Sequence, residues 1–204
     1  IISGRDIVAE PAIRSVEVQG QEYQVEDPGL RPTPIPVWLT LISAIFMHGS
    51  VMHLAGNMWF LWIFGDNVED DMGHGRYIAF YLATGVIASL VFVATNMQGD
   101  AALTPSLGAS GAISGVLGAY LVLHPQRRVS VIFVRIMVDV PGYVAVGIWF
   151  LFQILSGLFD TSGGVAYSAH VGGFVAGMIL AKPLSSRRAR NTADSLLLVR
   201  RRVP

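Results

Sequence analysis

The chain has 204 residues, of which 52% are hydrophobic and only 14% are charged, and its 14 basic and 14 acidic residues leave no net charge. Its mean hydropathy is +0.54, and long stretches almost free of charge exclude the interleaved polar pattern of a soluble globular domain. The absence of cysteine excludes disulfides, a thiolate nucleophile and a cysteine-based metal site. The composition therefore predicts a polytopic membrane protein.

Residues 1–36 form a polar region with three arginines against six acidic side chains, a net charge of −3. Apolar and polar residues alternate at 16–19 and 23–25, as they do in short strands. Four prolines between residues 28 and 36 favour an extended lead-in to the first helix. We therefore expect a small exposed loop or hairpin.

The first apolar segment covers 37–65, which exceeds the ~20 residues needed to cross a hydrocarbon core, yet it contains His48, His53 and Asn57. Polar groups at membrane depth are expensive and usually face the interior of a helix bundle. His53 and Asn57 are four residues apart and therefore share one helical face. Either these side chains belong to a functional site, or they only hydrogen-bond to neighbouring helices.

Four further apolar segments give five predicted spans in all, and they cover 77–95, 107–123, 141–159 and 165–181. Positive charge sets the orientation. Arg76, the arginine pair at 127–128 and the basic tail at 182–204 lie on alternate connections, which are therefore expected to be cytoplasmic. The N-terminal region and the loop before the third span then face outside. Arg135 and Asp139, four residues apart, are expected to pair at the membrane interface.

Glycines at helical spacing form a stripe on the third segment, with Ser110 at its border; they are Gly108, Gly111, Gly115 and Gly118. The fifth segment places His170, Gly173 and Gly177 on one face. Because each glycine costs a helix roughly 1 kcal/mol in water, such stripes indicate close backbone contact between membrane helices. If the two faces pack together, His170 comes within hydrogen-bond reach of Ser110, as a general base requires. Taken singly, the serine could equally be a packing residue and the histidine a proton relay.

A hydrolase of this kind also needs hydrogen-bond donors for the oxyanion of its tetrahedral intermediate. His53 and Asn57 are suitable donors, and the free amides of a helix N-terminus beside Ser110 add to them. Ser114, one turn further on, is a competing nucleophile. It lies deeper in the glycine-rich helix, where we expect it to pack or to form a hydrogen bond.

Four motifs occur in order along the chain. They are H-x-x-x-x-H-x-x-x-N at 48–57, G-x-x-x-E-x-x-x-G at 65–73, G-x-S-G at 108–111 and A-H-x-x-G-x-x-x-G at 169–177. With these motifs the chain resembles the rhomboid family of intramembrane serine proteases, from about residue 38 to residue 181.

The resemblance implies an intramembrane serine endopeptidase that cleaves the transmembrane segments of membrane proteins. It assigns Ser110 as the nucleophile and His170 as its partner in a Ser-His dyad. By the same resemblance, His53, Asn57 and the Ser110 amide stabilise the oxyanion. No third, acidic member is expected, and Asp160, the nearest candidate in sequence, falls in a predicted external loop.

For the architecture, the resemblance implies an all-α polytopic membrane protein with a rhomboid-like helical bundle at 37–181. Residues 1–36 are then an external loop or hairpin, and 182–204 a basic cytoplasmic tail. The family core has six spans, and the missing one is the first, so the chain looks like a fragment that begins in the first external loop. The implied location is the plasma membrane, in bacteria the inner membrane.

The implied partners are transmembrane protein substrates and the lipid bilayer, with no nucleic acid, no metal and no organic cofactor. The main alternative is a non-catalytic rhomboid-like protein that binds membrane clients, although such relatives usually lack the serine or the histidine. A transporter or proton channel that uses the intramembrane histidines is the third possible function. A fluorophosphonate probe distinguishes them, because it requires an activated serine.

Overall fold

The computed structural model describes residues 12–18, 21–27, 34–97, 106–133, 136–159 and 165–185. Helices make up most of this part of the chain, and two antiparallel hairpins lie among them. In chain order the elements are β1 (Ala12–Val18), β2 (Gln21–Asp27), α1 (Thr40–Phe46), α2 (Val51–Phe60), α3 (Asp66–Met72), α4 (His74–Thr95), α5 (Ser110–Leu123), β3 (Arg128–Phe133), β4 (Ile136–Pro141), α6 (Gly142–Phe159) and α7 (Tyr167–Leu184). A 3-10 turn at Val37–Leu39 precedes α1, and a π-helical turn at Leu61–Gly65 joins α2 to α3. The predicted helical membrane bundle is confirmed.

The alternating segment near the N-terminus folds as its period of two predicts. Strands β1 and β2 pair antiparallel, with Val16 opposite Tyr23. Within β2, Glu22 and Gln24 are both exposed, as expected for neighbours on one face of a strand. The sequence predicted a loop or a hairpin, and the described residues form the hairpin.

The first predicted span, 37–65, is not one continuous helix. The helices Val37–Phe46 and Val51–Met72 meet at an angle of 79°. Met47 is extended, with φ −90° and ψ 141°, and Ser50 starts α2 by accepting a hydrogen bond from the His53 amide at 3.1 Å. The bend turns the polar face of α2 towards the centre of the bundle.

Length and apolar composition single out two described helices, α4 and α6, as able to cross a membrane, and the bent pair is a third candidate. The other two predicted spans fall on α5 and α7. With 14 residues α5 is about 21 Å long, which is less than a hydrocarbon core of about 30 Å. It is buried on all sides from Gly111 to Tyr120, so it forms the centre of the bundle.

Glycines let α7 lie directly on α5. A Cβ at Gly173 would overlap the carbonyl oxygen of Gly111, and a Cβ at Gly177 would overlap that of Gly115. In the other direction, a Cβ at Gly118 would overlap the Phe174 carbonyl oxygen. The two backbones are therefore in contact, as in other small-residue helix pairs in membranes.

The same central helix is packed by α4 from another side. A Cβ at Gly111 would come 2.7 Å from the Cβ of Ala88, and one at Gly115 would come 2.6 Å from the Cβ of Thr84. Gly111 and Gly115 therefore each contact both α4 and α7. This double contact fixes α5 against both translation and rotation.

The connection between α5 and α6 is a hairpin that the sequence analysis missed. Strands β3 and β4 pair antiparallel, and the Ser130 hydroxyl donates to Asp139 Oδ1 at 2.6 Å. Arg128 donates to the Asp139 carbonyl at 2.8 Å. The predicted pairing of Arg135 with Asp139 assumed helical spacing, which a strand at Asp139 does not have, and Arg135 itself lies outside the described residues.

Candidate active site

Ser110 is the first residue of α5, and the turn before it has a specific backbone shape. Gly108 has a φ of +117°, where side chains are rarely tolerated, and its amide donates to the Ala44 carbonyl at 2.9 Å. This hydrogen bond holds the incoming loop against α1, so that α5 starts inside the bundle. Since the first amides of a helix have no acceptor within the helix, those beside Ser110 suit an anion.

Gly108 was predicted on the glycine stripe of α5, but the helix begins two residues later. Gly108 instead contacts α2, since a Cβ there would lie 2.8 Å from Cε1 and 2.9 Å from Nε2 of His53. The three atoms nearest to such a Cβ all belong to α2, and none belongs to α7. Its function in the fold is to make the turn and to leave room for the histidine ring.

The structure brings the predicted dyad together. Nε2 of His170 lies 2.7 Å from Oγ of Ser110, although the two residues are 60 positions apart. Only 8% of the His170 surface is exposed, whereas Ser110 is half-buried and lines a cavity. The glycine contacts between α5 and α7 set this distance. The geometry allows the imidazole to accept the hydroxyl proton directly.

A third side chain, which sequence reasoning missed, forms a hydrogen bond with the other ring nitrogen of His170. Gln153 on α6 places its Oε1 2.6 Å from Nδ1 of His170, and its surface is 7% exposed. Asp160, which the sequence offered as the nearest acidic orienter, lies outside the described residues. The available signal was an amide in the middle of an apolar membrane segment, where a polar group needs a partner.

His53 and Asn57 lie on α2, next to the turn that precedes Ser110. The Asn57 side chain is buried, and its Nδ2 makes no hydrogen bond within the described part of the chain. Its Nδ2 would be 3.8 Å from a Cβ at Gly108, and the His53 ring is closer still. Two side-chain donors thus point to the region beside the serine, one of them without an acceptor among the described residues.

His48, the first histidine of its motif, lies next to His53. Its ring packs edge-on against the ring of His53, with centroids 5.2 Å apart. Its Nε2 is buried and, among the described residues, has no hydrogen-bond partner. His48 therefore contacts the His53 ring directly and helps to hold it in place.

One cavity of about 410 Å³ joins these groups. Its polar lining includes His53, Asn57, Ser110, Gln153 and His170, and Ser89 and Ser106 add two more hydroxyls. Apolar side chains, among them Met52, Phe60 and Trp149, form much of the remaining wall. In the described ranges, no group of three or more His, Cys, Asp or Glu side chains is placed to hold a metal ion.

Ser114, the competing nucleophile of the sequence analysis, does not line this cavity. It is fully buried, and its hydroxyl donates to the backbone carbonyl of Ser110 at 2.6 Å. A hydroxyl committed to the preceding helical turn is a local hydrogen-bonding group. Of the two serines, Ser110 is therefore the one whose hydroxyl contacts the His170 imidazole and which also lines the cavity.

The Rhomboid domain family model matches residues 36–187, a range that contains every residue of this site. The chain belongs to the rhomboid family. Its family membership, its helical bundle and its apolar helices make it a membrane protein. The rhomboid family includes a protein that is named as a protease.

Three curated relatives show the extent of the likeness. The chain is 32% identical over 148 residues to the mouse "Presenilin-associated rhomboid-like protein, mitochondrial", covering 68% of this chain and 36% of that one. It is 33% identical over 166 residues to "Rhomboid protease GluP" of Bacillus subtilis, covering 79% of this chain and 30% of that one. It is 30% identical over 162 residues to "Rhomboid protein 1, mitochondrial" of Saccharomyces cerevisiae, covering 74% of this chain and 44% of that one. The chain thus spans less than half of each of these rhomboid relatives.

Proposed function

We propose that this rhomboid chain is an intramembrane serine endopeptidase that works through a Ser-His dyad. The observation that carries the proposal is the 2.7 Å hydrogen bond between Ser110 Oγ and His170 Nε2 at the wall of a cavity. A hydroxyl is a weak nucleophile on its own and is activated by an adjacent base. The name of the Bacillus subtilis relative as a protease agrees with this chemistry.

In the first step, His170 Nε2 takes the hydroxyl proton while Ser110 Oγ attacks the carbonyl carbon of a peptide bond. The carbonyl oxygen becomes an oxyanion that accepts hydrogen bonds from Asn57 Nδ2, a His53 ring N–H and the Ser110 amide. As the intermediate collapses, the C–N bond breaks and the imidazolium gives its proton to the leaving amine. An acyl ester on Ser110 remains.

Water then completes the reaction. His170 takes one proton from a water molecule, whose oxygen attacks the ester carbonyl, and the same donors hold the second oxyanion. Collapse releases Ser110 Oγ, which recovers its proton from the imidazolium, and frees the carboxylate product. The polar groups that line the cavity provide a site where water can bind.

The proposed substrates are transmembrane segments of other membrane proteins, which reach the site from the bilayer. The apolar wall residues, such as Phe60 and Trp149, can contact an apolar chain, while the polar groups bind its unwound backbone. A peptide bond inside a helix is not accessible to a nucleophile, because its carbonyl is hydrogen-bonded and covered by side chains. We therefore expect cleavage where the substrate helix unwinds.

The test uses the full chain in detergent with a panel of tagged single-span substrates and a fluorophosphonate probe. We expect a covalent adduct on Ser110 by mass spectrometry and cleavage within or beside the substrate span. Ser110→Ala should abolish both, and Ser114→Ala, which removes the neighbouring hydroxyl, should retain both. Stable binding of membrane clients with no adduct on Ser110 would instead support the non-catalytic alternative.

We propose a multi-pass position in the plasma membrane, as expected from the sequence. The mouse and yeast relatives carry the word "mitochondrial" in their names, so a mitochondrial membrane is the competing location. Fluorescence microscopy of the tagged full chain in its source organism, with markers for both membranes, distinguishes the two. Co-localisation with a mitochondrial marker would overturn the plasma-membrane proposal.

A further inference from the structure

Gln153 reaches the active-site histidine from a different helix than the serine does. Its Oε1 lies 2.6 Å from Nδ1 of His170, and Nε2 of the same ring lies 2.7 Å from Ser110 Oγ. We propose that Gln153 is a positioning residue, whose amide oxygen accepts the Nδ1 hydrogen and keeps Nε2 free to take the serine proton. This inference rests on the proposed function.

The physical reason lies in the two tautomers of a neutral imidazole. Only one ring nitrogen carries hydrogen, and the other is the acceptor. An acceptor at Nδ1 favours the tautomer with hydrogen there, which leaves the lone pair of Nε2 directed at Ser110. In the other tautomer Nε2 would donate to Oγ and could not accept the serine proton. Gln153 therefore selects the productive form of His170.

An amide suits this position better than a carboxylate does. Both Gln153 and His170 are buried in the helical bundle, with 7% and 8% of their surfaces exposed. A charged side chain buried at membrane depth is unfavourable unless it is paired, whereas a neutral amide needs only a hydrogen-bond partner. Gln153 thus orients the imidazole as an acidic third member would, without placing a charge beside it.

Contacts on both sides of Gln153 hold its face of α6 against α7. Three residues before it, Phe150 stacks on Phe174 with ring centroids 4.1 Å apart and an angle of 16°. Four residues after it, Gly157 lies close to α7, since a Cβ there would be 2.9 Å from the Cβ of Tyr167. Residues at these spacings share a helical face with Gln153. The rotation of α6 that points the amide at His170 is therefore fixed by packing.

The experiment compares Gln153→Met, which keeps the length of the side chain without the amide, with Gln153→Glu, which restores an acceptor. Leu151→Met, at an exposed position on the same helix, is the matched control. Each variant of the full chain is assayed for kcat and KM of substrate cleavage, for the rate of fluorophosphonate labelling and for the pH dependence of both.

We expect Gln153→Met to lower kcat and the labelling rate about 10- to 100-fold with KM unchanged, by analogy with the hydrogen-bond partners that orient metal-binding histidines. Leu151→Met should behave as the wild type. Gln153→Glu should restore most of the loss above neutral pH. The acid limb of its pH profile should lie at higher pH, because a carboxylate favours the imidazolium, which cannot accept the serine proton.

Two results would overturn the inference while leaving the proposed function intact. One is a Gln153→Met variant with wild-type kcat, and the other is an equal loss in both Gln153 variants with an unchanged pH profile, which indicates packing alone. If Gln153→Met does not fold, an acid limb in Gln153→Glu identical to that of the wild type overturns it. A wild-type chain with no adduct on Ser110 would instead contradict the proposed function.

Discussion

Gly177 on α7 lies directly against Gly115 on α5, so close that a Cβ at Gly177 would overlap the Gly115 carbonyl oxygen. One turn earlier, Gly173 meets the Gly111 carbonyl in the same way. The opposing atoms belong to the backbone and cannot rotate away as a side chain can. The spacing of the two helices, and with it the proposed dyad, therefore depends on these positions having no side chain.

The first prediction tests this dependence with the smallest possible change. Gly173→Ala should separate the helices and lower the free energy of unfolding by about 1–3 kcal/mol, as overpacking does. A misplacement of about 1 Å in the dyad should reduce the cleavage rate about 100-fold. Gly147→Ala is the control, because a Cβ there meets nothing within 4 Å. Thermal unfolding and cleavage assays measure both effects, and equal behaviour of the two variants would contradict the packing account.

The second prediction concerns the turn before the nucleophile. Gly108→Ala should combine backbone strain of about 1–3 kcal/mol with displacement of the His53 ring. Gly73→Ala is the matched control, since Gly73 also has a positive φ, +78°, but has nothing within 4 Å of a new Cβ. Both variants should lose stability in thermal unfolding. Only Gly108→Ala should lose labelling of Ser110 beyond what its folded fraction explains, and the same specific activity in both would refute the contact with His53.

The third prediction separates the two kinds of histidine. His170→Ala should abolish activation of the nucleophile, so that essentially no fluorophosphonate adduct forms. His53→Ala should lose one oxyanion donor, which is typically worth ~10²- to 10³-fold in rate, and should still label slowly. Asn57→Ala should be milder, because other donors remain. A reactive His170→Ala together with an inert His53→Ala would reverse the two roles.

The fourth prediction distinguishes the two serines of α5. Ser114→Ala removes only a hydroxyl that donates to the Ser110 carbonyl, so we expect wild-type cleavage and a loss of stability of no more than about 1.5 kcal/mol. Peptide mapping should find the adduct on Ser110 in this variant. An adduct that disappears with Ser114 would move the nucleophile by one turn and break the proposed dyad.

The chain by itself determined the features that depend on local period. Alternation indicated short strands where β1 and β2 lie, and helical spacing placed His53 with Asn57 on one face. Glycines at three- and four-residue intervals likewise indicated that α5 and α7 pack closely, as Gly173 and Gly177 do against α5. These predictions succeed because a regular backbone carries residues at fixed spacing to the same side.

Local period could not predict the places where the backbone departs from it. The bend of 79° between α1 and α2 interrupts a segment whose residues are apolar throughout most of its length. The β3–β4 hairpin falls in a short apolar run, which periodicity alone does not distinguish from a helix. Gly108 matched the glycine spacing of α5, yet it lies in the loop before the helix, where its amide donates to the Ala44 carbonyl.

Tertiary structure alone decided that Gln153 meets His170. The order of residues indicated an imidazole for Ser110, but it did not indicate that Gln153 approaches the other ring nitrogen of His170. That contact requires a particular rotation of α6 about its own axis, set by the stacking of Phe150 on Phe174 and the fit of Gly157 against Tyr167. Sequence spacing specifies which residues share a face of one helix, whereas only the packing of side chains between helices specifies which faces meet.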